Sequence, residues 1–164
     1  MSDEDWLILA ILAVAVFTII LLATSLSASR SRKKKAARTA FNRSLDQVIG
    51  GARWVHDQAS IDVLAANDPA QLRSIWSASQ TRILEVEQDT AVLAAGVKNA
   101  DLQHALADLG HSLADLRNVL GSNVALRLEP QTGREYLVLS SNQAVYDRRS
   151  QLFGAIAPVA EARR

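Results

Sequence analysis

The sequence contains no cysteine, which excludes a disulfide framework, a zinc–thiolate site and a thiol nucleophile. That usage agrees with a reducing compartment. Also missing are a glycine-rich phosphate loop, an HExxH pair and a nucleophile elbow. The spacing of serine, histidine and aspartate points to no triad either. The expectation is a protein that is not an enzyme and holds no cofactor or metal.

A basic domain is missing too, although the pI is about 8.2 and the net charge +1. Asp3, Glu4 and Asp5 open the chain, and Arg30, Arg32, Lys33, Lys34, Lys35, Arg38 and Arg43 form a basic cluster further on. The remainder holds 11 bases and 14 acids, so it is mildly acidic. A nucleic-acid binder carries its basic stripe on the folded domain. No nucleic-acid partner is expected, and the pI points instead to a membrane surface. Arginine outnumbers lysine and alanine is abundant, a bias that suits a high-GC bacterial genome.

What is present begins with Trp6 to Leu26, an uncharged run whose only polar residues are Thr18, Thr24 and Ser25. As a helix it is about 30 Å long, the hydrocarbon thickness of a bilayer. A cleaved signal peptide wants a basic start and a shorter apolar stretch, and this start is acidic. The bases directly after the run place that side in the cytoplasm, and Trp6 suits an interfacial anchor. The expected layout is an acidic extracytoplasmic segment at 1–5 and a transmembrane helix at 6–26. A basic juxtamembrane linker at 27–40, a cytoplasmic helical domain at 41–157 and a tail at 158–164 follow. Arg30, Arg32, Lys33, Lys34, Lys35 and Arg38 are the candidate contacts to anionic lipid, at about 1 kcal/mol each near the surface. Ala23 and Ser27 give one small-residue spacing and there is no GxxxG, so a plain anchor and a packed one both stay open.

Beyond the linker, Phe41, Leu45, Val48, Ile49, Ala52, Val55, Ala59, Val63 and Ala66 mark one face of an amphipathic helix. Gly50-Gly51 interrupts it, as a hinge or as a point of close helix packing. Trp54 and Ile61 lie off the stripe and are expected as a second core-facing edge. Asn67-Asp68-Pro69 supplies a cap and then a proline suited to a first helical position. Leu72, Trp76, Ser79, Ile83, Val86, Thr90, Leu93 and Val97 then alternate by fours and threes, a heptad seam diluted by Ser79 and Thr90. Gly96 is the expected stop and Asn99 the next cap.

The most regular segment follows. LQHALAD, LGHSLAD and LRNVLGS are three heptads whose Leu102, Leu106, Leu109, Leu113, Leu116 and Leu120 form a helix-packing seam. Asp101, His104, Asp108, His111 and Asp115 share the alternation about 100° round the helix. A metal site or pH sensor is the sharper reading of that stripe. His104 and His111, however, stand about 10 Å apart along a helix, so a solvated face is expected.

Residues 124–139 are ambiguous. Pro130 to Gly133 makes either the turn of a β-hairpin or the connection between two helices. A last helix from about Asn142 to Ala157 should turn Val145, Leu152, Phe153 and Ile156 inward and end at Pro158. The expected fold is mainly α: one transmembrane helix plus an antiparallel bundle of three to four helices, with a hairpin at 124–139 as the variant.

The expected function is a membrane-anchored cytoplasmic scaffold or accessory subunit acting through protein–protein contacts. Its partners would be membrane lipids and other membrane or cytoplasmic proteins, and a homo-oligomer could use the same leucines. The alternative is a ligand- or lipid-binding sensory bundle, with Trp76, Ser79 and Thr90 lining a cavity.

Overall fold

The computed structural model describes residues 35–129 and 135–162. The predicted span 6–26 and the bases Arg30, Arg32, Lys33 and Lys34 lie outside them. Among the described residues no helix is long and apolar enough to cross a membrane. The chain divides between residues 42 and 43. In the first unit, the described residues 35–42 are helical, and Lys35 and Arg38 are exposed.

The second unit is built from four helices, labelled α1 (residues 43–65), α2 (Pro69–Gly96), α3 (Ala100–Leu128) and α4 (Glu135–Glu161). The sequence explains where they begin. The Asp68 carboxylate accepts from the Gln71 amide at 2.8 Å with Pro69 behind it, and the Asn99 side chain accepts from the Leu102 amide at 3.1 Å. Each such cap contributes about 1 kcal/mol. The end of α1 is closed by tertiary structure instead. Arg127 of α3 donates to the carbonyls of Val63 and Ala66, which have no further turn to serve.

Gly51 of α1 faces Val86 and Trp54 lies under Arg82, so α1 and α2 run antiparallel. Arg117 pairs with Glu87 at 2.8 Å while Gly121 faces Trp76, which sets α3 antiparallel to α2. Asn123 bonds Ser141 and Asn142 while Asp115 meets Arg148, which does the same for α4. Up-down-up-down connection through short loops is the expected economy of a four-helix bundle.

All six seam leucines of α3 are buried and five of them are wholly inaccessible. Removing each from water contributes about 2 kcal/mol. Val145, Leu152, Ile156 and Val159 of α4 meet this core, as do Leu72, Ile83 and Val86 of α2. Ser79 and Thr90 are buried as the heptad requires, and Thr90 satisfies its hydroxyl on the Val86 carbonyl at 2.6 Å.

Several expectations change. Residues 124–128 and 135–139 are helical and no strand occurs among the described residues, so the hairpin gives way to two helices. Each helix satisfies its own backbone bonds and buries an apolar face along its neighbour, whereas two strands would have leaned on the bundle. Gly50-Gly51 makes no break in the second unit: residues 43–54 are continuously helical. Pro158 does not end α4, which runs on to Glu161. The proline forfeits one backbone bond, to the exposed Gly154, and burial of Val159 offsets it. Phe153 and Ile61 were expected inside and are 65% and 45% exposed. Both lie on the flanks of their helices, and the core between is filled by Val63, Leu152 and Ile156.

Candidate interaction surface

The apolar face of α1 alternates strictly through Leu45, Val48, Ala52, Val55 and Ala59, all buried, and then steps four residues to Val63, past the exposed Asp62. A π-helical turn, Val55–Ala59, lies in this stretch. Val55 is buried completely, and the His56 side chain stays 20% exposed at the edge. The Ser60 amide donates five residues back, to the Val55 carbonyl, instead of to that of His56. The His56 carbonyl is served by side chains. It accepts from the Ser60 hydroxyl at 2.8 Å and from Nε and Nη2 of Arg149 at 3.1 and 3.0 Å. Turns of this kind occur frequently at functional sites.

Polar and aromatic groups gather round this turn. His56 Nδ1 stands 2.6 Å from the Asp57 carboxylate, and its ring lies 5.3 Å from that of Phe153. Arg149 sits over Tyr146 at 5.8 Å. Phe153 and Tyr146 belong to an outward row on α4, where Leu139, Tyr146 and Phe153 recur every seven residues with Tyr136 at its start. All four are at least half exposed. The row lies roughly 110° round α4 from the buried one, as 100° per residue dictates. One helix therefore carries two heptad rows, and only one is used inside the bundle.

The Asp–His stripe of α3 is exposed throughout. Asp101, His104 and Asp108 line an open groove of about 460 Å³ against Gly154, Ala155 and Pro158. Among the described residues, no group of three histidines or acids is placed to hold a metal ion. Trp76, Ser79 and Thr90 do not converge on a cavity. Trp76 packs at Gly121, and the other two are absorbed in the seam.

The six seam leucines come together as one buried surface. The basic candidates are represented by Lys35 and Arg38 alone, both exposed. Sequence reasoning missed the outward row and the Arg149–His56 contact. The seven-residue recurrence at 139, 146 and 153 was a usable signal, obscured because 135–139 also reads as a strand. Nothing in the sequence marks the π-turn. No protein-family model, curated protein or solved structure matches this chain.

Proposed function

We propose that this protein is a membrane-anchored helical scaffold or accessory subunit, held by residues 6–26 with its bundle in the cytoplasm, that acts through protein–protein contact. The observation that carries this reading is the outward row Tyr136, Leu139, Tyr146 and Phe153. Exposed aromatic and aliphatic side chains on one helix face are uncommon away from contact surfaces. Their seven-residue recurrence fits a partner helix with an apolar heptad of its own, from another subunit of a membrane assembly. Anchoring raises local concentration, so a modest helix contact suffices. The basic run ahead of the bundle supports the cytoplasmic orientation and a hold on anionic lipid.

The test is extraction of the whole chain in mild detergent, with identification of co-eluting proteins for the natural sequence and for a Tyr146→Glu/Phe153→Glu variant. The variant should lose a partner while keeping its melting temperature. Retention of every partner by the variant, or a partner-free monomer from the start, would reject the reading. A reporter fused to the C-terminus tests the orientation separately and should report a cytoplasmic tail.

A further inference from the structure

We propose that the exposed Asp–His stripe of α3 is the contact for a second copy of this chain, set antiparallel and closed by protonation of the histidines. The inference rests on the bundle alone, not on the proposed anchor or on the outward row of α4.

Asp101, His104, Asp108, His111 and Asp115 are all exposed and form a heptad row of their own. Each aspartate is followed by a histidine three residues on, and each histidine by an aspartate four residues on. Reversing a second copy about a two-fold axis exchanges the two kinds of position. Every aspartate in the contact then faces a histidine, whereas a parallel copy sets aspartate on aspartate. The row is its own complement, and this makes the partner a copy of the same chain.

With the axis level with Leu106, Asp101 meets His111 of the second copy and His104 meets Asp108 of the second copy. Symmetry repeats both pairs. The next possible axis, half a heptad on, would call on Asp115, which Arg148 already holds at 3.3 Å. The borders of the row allow a helix to come close. Ala100, Ala107 and Ala114 flank it on one side, Ala105 and Ser112 on the other, and none carries charge. Beside Asp101, His104 and Asp108 the surface opens as the groove of about 460 Å³, whose far wall is only Gly154, Ala155 and Pro158.

Imidazole gains its charge between about pH 8 and pH 5. Uncharged, the histidines leave two rows of aspartates to repel each other; protonated, they neutralise the aspartates across the axis. The other charges near the row are few. From α4 come Arg148, paired to Asp115, and Glu161, one turn past Pro158. Lys98 stands just ahead of α3. Glu87 of α2 lies on the opposite flank of α3, held by Arg117 at 2.8 Å, and α1 meets α3 at the far end through Arg127.

The test is sedimentation of the whole chain in mild detergent at about pH 5.5 and pH 8. The dimerisation constant should be roughly tenfold or more larger at the lower pH, as several exposed ion pairs together allow, and should fall in high salt. His104→Asp should abolish the acid dimer, and His104→Asp combined with Asp108→His should restore it. Both positions are exposed, so melting temperatures at pH 8 should stay natural. The chain has no cysteine, so one introduced at the exposed Gln103 or Asn118 carries a spin label without background. Labels at 103 in the two copies should be offset along the helices by about 9 Å and labels at 118 by about 36 Å, so the second distance is much longer. A monomer at both pH values, or a dimer indifferent to pH, would overturn the proposal. So would failure of the exchanged pair to restore the dimer, or equal distances from the two labels.

Discussion

Arg149 reaches across from α4 to place two nitrogens 3.1 and 3.0 Å from the carbonyl oxygen of His56, 93 residues away in sequence. The contact ties the last helix to the turn of the first that departs from α geometry. It replaces a backbone bond with a charge-assisted one, and its strength depends on the planar fork of the guanidinium.

Arg149→Ala should lower the unfolding free energy by about 2 kcal/mol, the scale of a hydrogen bond to a charged group. Arg149→Lys should recover less than half, because an ammonium presents no pair of N–H groups that converge on one oxygen. Urea denaturation of the three proteins checks both. Equal stability of the lysine and arginine forms would show that charge alone matters.

Gly50 and Gly51 should respond oppositely to alanine. A Cβ on Gly50 meets nothing within 4 Å, so Gly50→Ala should stabilise by about 1 kcal/mol through helix propensity. A Cβ on Gly51 runs into Val86, and Gly51→Ala should destabilise in spite of the same gain. Paired thermal melts distinguish them by sign.

Arg127→Ala should uncap the end of α1. The Val63 and Ala66 carbonyls lose their donors, and about 1–2 kcal/mol should go with them. Hydrogen exchange should show faster amides over 60–66 with α3 unchanged. Uniform acceleration across the bundle would mean that Arg127 acts through the core.

The interior and exterior of α3 should differ sharply under truncation. Leu109→Ala opens a cavity at a fully buried position and should cost about 3 kcal/mol. His104→Ala and His111→Ala lie on the exposed stripe and should stay within about 0.5 kcal/mol. Denaturant midpoints measure all three. A large loss at either histidine would give the stripe a structural role that its exposure does not suggest.

Much of this was legible in the sequence because it is local. Asp68, Pro69 and Asn99 announce two helix starts through chemistry confined to four residues. The leucines from Leu102 to Leu120 define a buried seam because α geometry returns every third or fourth residue to one face. The Gly50-Gly51 pair was legible only as a choice, since close packing requires knowing that Val86 stands opposite. The span 124–139 was a choice as well. Its alternation satisfied both periods, and only packing along α3 made it helical.

The sequence by itself determined the buried seams of α2 and α3, two of the caps and the charge partition along the chain. Periodicity and capping are properties of neighbours in the chain, and they need no partner to be read. The tertiary structure alone decided that α1 should take a π-turn at Val55–Ala59 and that Arg149 should serve the His56 carbonyl there. It also decided that Arg127 should cap α1 and that Phe153 should face outward. Each of these depends on which atoms of another helix lie within a few ångströms, and that information does not exist until the bundle has closed.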